Sequence, residues 1–208
     1  MNHLSIEGFD GVGKTTTARL VADKLGYLFI EKPLHELFDE GDSFEEYIRI
    51  RDKVNASPDR DFTSLFYGLG SVYMYGKHRD ENIVTDRHLC SNYAWSGTYY
   101  NMDVYDFLIE KLDKPTLTII LHAKQKTIQK RLQGRDAHDN DLRKVQKSPL
   151  IYSKMERFFK EKSFETLWIE TDGLSPEAIA EVILERYAEI MKKNGEVAEF
   201  VRYPKESE

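Results

Sequence analysis

Composition and charge exclude several classes of protein at the outset. The chain has 208 residues, and 30 lysine and arginine residues against 36 aspartate and glutamate residues give a formal net charge of −6. Hydrophobic residues make up 40% and charged residues 32%, a balance typical of one folded domain rather than of a disordered or membrane-embedded protein. The acidic balance argues against a nucleic-acid partner, which usually requires a basic surface. Any anionic ligand must therefore be held by a local site.

The sequence also predicts the cellular location of the protein. No run of about 18 apolar residues occurs, so we expect no transmembrane helix and no membrane partner. The first residues lack the basic and then apolar layout of a secretory signal peptide, which predicts a cytoplasmic protein. Cys90 is the only cysteine, so an internal disulfide is excluded.

Short apolar runs alternate with longer helical patterns, which predicts a parallel α/β sheet. Five strands are expected in chain order, at residues 3–7, 27–30, 82–86, 116–121 and 166–170. The intervals between them carry the periodicity of helices. We therefore predict one doubly wound domain over residues 1–208, with a tail that frays at 195–208.

Local signals in the helical segments lead to specific expectations. Ser43 and Glu46 form a capping box, which predicts the start of a helix. Gly68 and Gly70 interrupt an apolar helix and each cost about 1 kcal/mol of helix propensity, so we expect a substrate or a partner helix to approach closely there. Ser175 is predicted to cap the final helix. The helix that contains the two glycines has an apolar stripe made of Phe62, Leu65, Phe66, Leu69, Val72 and Tyr73.

A glycine-rich turn between the first strand and the first helix matches the motif G-x-x-x-x-G-K-[ST], from Gly8 to Thr15. Its glycines allow backbone N–H groups to wrap phosphates, and the helix N-terminus adds partial positive charge. Lys14 can reach the outer phosphates, and the Thr15 hydroxyl can ligate Mg²⁺. The motif predicts an ATP site in a P-loop NTPase fold, a three-layer α/β/α arrangement. The residues expected to hold ATP are Gly8, Asp10, Gly11, Val12, Gly13, Lys14, Thr15 and Thr16.

The end of the third strand helps to separate kinases from other P-loop proteins. A GTPase should carry N-K-x-D for guanine, and this sequence has none. Hydrolytic ATPases often end a strand with Asp-Glu, whereas this strand ends with Asp86-Arg87. Such a pair suits transfer to a second phosphorylated molecule, because Asp86 can hold the metal and Arg87 can bridge the phosphates of donor and acceptor.

Two segments resemble the thymidylate kinase family. Residues 6–16, IEGFDGVGKTT, are similar to the family's loop E-G-x-D-G-x-G-K-T-T. Residues 85–97, TDRHLCSNYAWSG, resemble its segment D-R-Y-x-x-S-x-x-A-Y-x-G. The resemblance covers roughly residues 3–190 and implies a kinase that uses ATP and Mg²⁺ to phosphorylate a small-molecule nucleotide.

The resemblance also implies roles for individual residues. Thr15 and Asp86 would serve the metal, and Lys14 and Arg87 would act on the transferring phosphoryl group as catalytic residues. On the acceptor side, Asn92 would contact the pyrimidine edge and Phe66 would stack on the base. The alternatives are that Asn92 caps the helix after the third strand and that Phe66 belongs to the core. The acceptor residues implied by the family pattern are Asp10, Phe66, Arg87, Asn92 and Trp95.

The charged segment at residues 131–147 corresponds, in this resemblance, to a helical lid that closes over ATP. Arg131 and Arg135 are spaced to share one helix face if the preceding helix continues. An arginine there can stabilise charge on the transferred phosphoryl group. Because the loop at 9–12 contains no arginine, we expect Arg131 or Arg135 to be catalytic. The alternative is an ordinary solvated face of mixed charges.

The family pattern breaks after the second strand, where Glu31-Lys32-Pro33 stands in place of the usual R-E-P. Deoxynucleoside kinases place a glutamate directly before that proline, as general base for the 5′-hydroxyl. A monophosphate is already an anion and needs positioning more than a base, so Lys32 favours a monophosphate acceptor and is an expected substrate-binding residue. Glu31 is close enough to act as a base, which leaves a deoxynucleoside kinase as an alternative.

The pattern breaks again after Phe66, where Leu69 and Gly70 replace the family's aspartate-arginine pair. The preferred base therefore stays open. His88 replaces the tyrosine that usually follows Asp-Arg in the family, and no role is assigned to it.

The resemblance to the family implies the reaction dTMP + ATP → dTDP + ADP, with Mg²⁺ as cofactor, as the leading hypothesis. A deoxynucleoside kinase is the first alternative, and a non-catalytic nucleotide-binding regulator is the second. Further apolar residues on the glycine-containing helix predict a homodimer contact; they are Tyr67, Val72, Met74 and Tyr75.

Overall fold

The computed structural model describes residues 1–41, 43–136 and 139–195. Its sheet has five parallel strands in the order β2-β3-β1-β4-β5. The strands are β1 (His3–Gly8), β2 (Leu28–Glu31), β3 (Ile83–Asp86), β4 (Leu117–His122) and β5 (Thr166–Glu170). The predicted parallel sheet is confirmed, and each predicted strand lies within one or two residues of an observed one.

Helices cover both faces of this sheet. They are α1 (Lys14–Leu25), α2 (His35–Phe38), α3 (Glu45–Asn55), α4 (Arg60–Lys77), α5 (Leu89–Ser96), α6 (Met102–Leu112), α7 (Gln125–Arg135), α8 (Ser148–Lys162) and α9 (Pro176–Lys193). Helices α1 and α9 pack together, and α5 packs against both α4 and α8. Every residue of β1 is buried, because parallel crossovers place a helical layer on each side of a central strand. The three-layer α/β/α architecture is confirmed.

The predicted lid contains the end of α7 and a 3₁₀ helix at Asn140–Lys147. Residues 137 and 138 of that segment lie outside the described residues, as does all of the predicted frayed tail except Gly195. Among the helices of the described ranges, none is both long and apolar enough to cross a membrane.

The start of α3 differs from the predicted capping box. The carboxylate of Asp39 accepts hydrogen bonds from the backbone N–H groups of Glu46 (2.8 Å) and Tyr47 (2.9 Å). Ser43 instead accepts from the N–H of Glu45, at 3.3 Å. A carboxylate is a stronger acceptor than a hydroxyl at a helix N-terminus, and the short helix α2 brings Asp39 within reach. The box of Ser43 and Glu46 is therefore wrong, although the helix is present.

Helix α4 buries its small residues and exposes much of its apolar stripe. A Cβ atom on Gly68 would lie 2.7 Å from Leu108 of α6, and one on Gly70 would lie 3.0 Å from Leu34. The expected close approach at both glycines is confirmed, and their neighbours come from this chain. The stripe, in contrast, leaves Phe62 50% exposed because the glycine face is the one that packs inward.

The final helix begins as predicted. The hydroxyl of Ser175 accepts a hydrogen bond from the N–H of Ala178 at 3.2 Å, which caps α9. The helix then packs along α1 and completes one outer layer of the domain.

Candidate active site

A cleft of about 1450 Å³ opens where the carboxyl ends of β1, β2 and β3 meet. Pockets for one small ligand usually occupy about 300–1,000 Å³, so this cleft has room for two. Its first wing extends past β2 to α3 and α4, and its second extends to α7 and the lid. We call these the acceptor wing and the donor wing. The P-loop and Arg87 lie between them, because β1 and β3 are neighbours in the sheet.

The glycines of the P-loop adopt backbone conformations that other residues rarely reach. Gly8, Gly11 and Gly13 have φ values of 139°, 81° and 99°. A Cβ on Gly8 would lie 2.3 Å from the carbonyl oxygen of Leu121, so a side chain there would displace β4. Helix α1 begins at Lys14, directly after this turn, and its first N–H groups face the cleft. The loop has the form of a phosphate-binding nest.

Lys14 is buried at the base of the cleft. Its Nζ donates to the carbonyl oxygen of Phe9 at 2.7 Å and lies 3.7 Å from the Asp10 carboxylate. Burial and the nearby Arg87 charge lower the pKa of Lys14 to about 8. The ammonium therefore stays charged at neutral pH, yet it is weakly solvated and ready to bind an anion.

Arg87 lies at the centre of the cleft. Its guanidinium donates to the Asp10 carboxylate, to the carbonyl oxygen of Gly8 at 3.2 Å and to Ser91 Oγ at 3.3 Å. Burial opposes its charge, but Asp10 and Asp86 outweigh burial and raise the pKa of Arg87. Its φ of 78° is unusual for a residue with a side chain, and its N–H donates to the carbonyl oxygen of Ile6 at 2.9 Å. The backbone is thus held in a strained conformation at this position.

Asp10 carries the charge that complements these two cations. Burial alone would raise the pKa of Asp10, but the charges of Arg87 and Lys14 lower it well below its ordinary value. The carboxylate is therefore ionised throughout the physiological range, and the three groups form a compact ionic cluster.

Thr15 and Asp86 meet at the other side of the loop. The Thr15 hydroxyl donates to Asp86 Oδ2, while the buried Oδ1 has no hydrogen-bond partner among the described residues. A buried carboxylate oxygen without a partner needs a cation or a water. Mg²⁺ is usually held by one or two protein oxygens together with phosphates and waters. The pair therefore fits the predicted metal, and the described residues contain no cluster of three or more acidic, histidine or cysteine ligands.

Both lid arginines line the donor wing, but they are held differently. Arg131 donates to the carbonyl oxygens of Val12 (3.3 Å) and Thr171 (2.8 Å), and to Thr171 Oγ1 at 2.9 Å. Arg135 pairs with Asp139 at 2.7 Å and with Asp141 at 3.4 Å, and its side chain is 59% exposed. Arg131 is thus fixed against the P-loop, whereas Arg135 can be released at small cost.

Some of the predicted acceptor residues line the cleft, and one of these, Asn92, also has hydrogen-bond partners within the protein. Lys32 and Trp95 line the cleft directly, and Lys32 pairs with Glu31 at 2.5 Å. Asn92 also lines it, but its amide donates to the carbonyl oxygen of Ser64 at 2.9 Å and accepts from Tyr105 at 3.2 Å. Its amide therefore also ties α5 to α4.

Phe66 is placed outside the cleft, contrary to the expected stacking role. Its ring stacks on Phe38 with 6.2 Å between centroids. The next residue, Tyr67, lines the acceptor wing and donates to Asn55 at 2.8 Å. Phe66 lies away from the opening of the cleft because the face of α4 that carries Gly68 and Gly70 is the one that packs inward.

Sequence reasoning missed several residues that build the site. Arg51 and Arg60 line the acceptor wing from α3 and α4, and only the order of the sheet could have placed them there. Tyr152 holds the loop, since its hydroxyl donates to the carbonyl oxygen of Leu121 at 2.9 Å and accepts from the Phe9 N–H at 3.2 Å. Glu7, within the quoted loop motif, is a buried carboxylate beside Ser91.

Comparisons with known proteins assign the chain to a family. The model of the thymidylate kinase family matches residues 6–183. A protein of Thermococcus gammatolerans named "Putative adenylate kinase" is 25% identical over 197 residues, covering 91% of this chain and 88% of its own. One of the same name from Thermococcus kodakarensis is 26% identical over 183 residues, covering 87% and 82%.

A solved structure shares the fold. The deoxyadenosine kinase from M. mycoides, with the products dCMP and dCDP bound, has a TM-score of 0.61 and 20% identity, over 88% of this chain and 97% of that one. With a P-loop, an Asp-Arg pair at the end of β3 and a family match over most of its length, the chain is a nucleotide kinase that belongs to the thymidylate kinase family.

Proposed function

We propose that this nucleotide kinase transfers the γ-phosphoryl group of ATP to the phosphate of a deoxynucleoside monophosphate, and that thymidylate is its acceptor. The observation that carries the proposal is the cationic lining of the acceptor wing by Lys32, Arg51 and Arg60. The P-loop and Lys14 already provide for the phosphates of ATP. The further cations are therefore available to a second phosphorylated molecule.

These acceptor cations are free enough to change partners. Lys32 pairs with the adjacent Glu31, and Arg51 pairs with the adjacent Asp52 at 2.7 Å. Pairs of neighbouring residues in contact with water contribute only about 0–1 kcal/mol, so a phosphate dianion can displace the carboxylates. An uncharged nucleoside offers no such exchange.

At the centre of the cleft, the residues of this chain align the two phosphates. The N–H groups of the P-loop and Lys14 hold the donor, and Arg87 exchanges its bond to Asp10 for oxygens of donor and acceptor. Mg²⁺ bound at Thr15 and Asp86 would supply neutralisation of charge on the donor phosphates. Arg135 is the lid arginine we assign to the transferring phosphoryl group, because Arg131 is occupied by Thr171 and Val12.

A deoxynucleoside kinase is the second candidate, and one observation favours it. Glu31 lines the cleft next to Asp86 in the register of β2 and β3, one residue before the family position of the general base for a 5′-hydroxyl. The structural neighbour from M. mycoides is named a deoxyadenosine kinase, which also fits this second candidate. Against it, the position directly before Pro33 holds Lys32 rather than a glutamate.

The test is a panel of acceptors. Purified protein with ATP and Mg²⁺ is incubated with dTMP, dCMP, dAMP, AMP and dGMP, and with each matching nucleoside, and products are separated by anion-exchange chromatography. Formation of dTDP with the highest kcat/KM is the expected result. Products from nucleosides alone would establish the second candidate, and tight ATP binding without any product would favour a regulator.

We also propose that the enzyme is a homodimer. Three residues of the α4 stripe, Phe62, Leu65 and Leu69, are 50%, 49% and 48% exposed, and Phe107 of the adjacent α6 is 53% exposed. Exposed apolar side chains on two packed helices suit an isologous contact, in which each copy offers the same surface.

Sedimentation velocity tests this assembly. The wild type is expected to sediment as a dimer at micromolar concentration, and Leu69→Glu as a monomer, because a carboxylate would be buried in the contact. Leu150→Glu, on the exposed face of α8, is the matched control and should leave the dimer intact. A monomeric wild type would contradict the proposal.

A further inference from the structure

Glu7 is a carboxylate buried in the middle of the sheet, only 1% exposed, one residue before the P-loop. It accepts hydrogen bonds from Ser5 Oγ at 2.8 Å, from the Ser91 N–H at 3.1 Å and from Ser91 Oγ. A buried carboxylate stabilises a fold less than an apolar side chain of similar volume would. Its presence beside the P-loop therefore calls for a reason other than packing.

The hydrogen bonds connect Glu7 to Arg87 with a fixed direction. Arg87 Nη1 donates to Ser91 Oγ at 3.3 Å. A guanidinium has only donors, so Ser91 accepts there and gives its own proton to Glu7. The result is a polarised series from the cation through one hydroxyl to the anion. Each bond in such a series strengthens the next.

We propose that Glu7 is a positioning residue for phosphoryl transfer, which acts through Ser91 to hold the Arg87 guanidinium in the orientation that bridges donor and acceptor. This inference rests on the role of Arg87 in the proposed function. Asp10 also holds the guanidinium, but the proposed reaction requires Arg87 to release Asp10 for phosphate oxygens. The bond to Ser91 leaves that side of the guanidinium free and persists throughout the exchange.

The backbone at Arg87 makes such a support necessary. With φ at 78°, the residue occupies a conformation that its neighbours must enforce. Its side chain is 30% exposed, so packing alone does not fix the guanidinium. Arg87 Nη1 also donates to the carbonyl oxygen of Gly8, and the bond to a hydroxyl that is itself anchored by a buried carboxylate adds a second restraint on the same nitrogen.

Glu7→Gln is the informative variant, because it removes the charge and preserves the shape. The amide oxygen can accept from Ser91, and the amide NH₂ can donate to the rotatable Ser5 hydroxyl. Thr118→Val is the matched control: Thr118 lies opposite Ser5 in the register of β1 and β4, is 1% exposed, and its hydroxyl has no partner among the described residues. This control should keep wild-type kcat.

The kinetic test compares Glu7→Gln in the wild-type and Arg87→Ala backgrounds. In the wild type we expect kcat to fall roughly 10-fold, the lower range for loss of an outer-shell partner, with unchanged ATP affinity and an unchanged thermal midpoint. With Arg87→Ala, the same substitution should have no further effect on kcat, since no guanidinium remains to be positioned. An equal fold-loss in both backgrounds would show a structural role and overturn the inference.

A second measurement does not depend on turnover. In protein labelled with ¹⁵N-arginine, the Arg87 side-chain resonances, identified by their loss in Arg87→Ala, report rotation of the guanidinium. Glu7→Gln should speed that rotation, whereas unchanged rotation would overturn the inference even if no acceptor were phosphorylated. If rotation changes but the wild type transfers no phosphate, the proposed function fails and the positioning contact stands.

Discussion

Two clusters of charged side chains at the cleft each contain two acidic and two basic residues, but they differ in exposure to water. In the strand-end cluster, Glu7 and Lys14 are buried and Asp10 and Arg87 are half-buried. Backbone groups hold Glu7, Lys14 and Arg87, and Asp10 pairs with the two cations. The lid cluster, made of Arg135, Asp139, Asp141 and Lys144, consists of side-chain pairs whose cations are about half exposed. In the first cluster the low dielectric constant of the protein interior strengthens electrostatic interactions, and in the second cluster water weakens them. The difference indicates a centre whose groups keep their positions and a lid whose ion pairs separate at small cost.

The largest expected effect lies in the strand-end cluster. Lys14→Met should lower kcat by about 10³-fold, because it removes a desolvated cation aimed at the transferred phosphates. Steady-state kinetics with ATP and dTMP measures the loss. Lys24→Met, in the last turn of the same helix, is the control and should leave kcat near the wild-type value. A Lys14→Met enzyme with nearly full activity would show that the buried cation is not essential.

A smaller effect is expected from the lid cluster. Arg135→Ala should lower kcat about 10-fold, since an exposed arginine contributes less than a buried one, and added salt should reduce the difference from wild type.

Arg131→Ala should instead raise the KM for ATP, because Arg131 supports the P-loop at the carbonyl oxygen of Val12. The reverse assignment of the two effects would make Arg131 the catalytic arginine.

The smallest effect near neutrality is a pH dependence that arises from Lys14 of the buried cluster. Burial lowers the pKa of Lys14 to about 8, below the ordinary value for lysine. The charged form binds phosphate, so kcat/KM for ATP should fall as pH rises above about 8, approaching about tenfold per unit. Bound phosphates favour the ammonium, and kcat should therefore persist to higher pH. Profiles of both constants between pH 6.5 and 9.5 test this, and a flat kcat/KM would contradict it.

Sequence predicted the parts of this molecule that depend on local pattern. Strand periodicity gave β5 with its observed bounds, and the P-loop motif located the turn because its glycine conformations depend on the chain itself. The orientation of α4 could not be obtained in this way. Its apolar stripe suggested an inward face, and the family resemblance implied that Phe66 stacks on the nucleotide base. In the structure the Gly68 face packs on α6 and brings Tyr67 to the cleft. Contacts between distant segments decided that outcome.

The charged residues of the site also show which features local sequence pattern predicts and which depend on contacts between distant segments. Asp10, Lys14 and Arg87 were expected at the site from their motifs, and the structure brings them together. The support from Glu7 through Ser91 depends on the contact between β1 and α5, which no spacing along the chain encodes. Asp39 likewise displaced the predicted cap because a second short helix placed its carboxylate there.

Direct observation of phosphoryl transfer tests the central claim most simply. Phosphorus NMR of one mixture of protein, ATP, Mg²⁺ and dTMP should show the resonances of dTDP and ADP growing in equal amounts as those of ATP and dTMP decline. Growth of ADP and inorganic phosphate with dTMP unchanged would contradict transfer to thymidylate, and would show that water accepts the phosphoryl group instead.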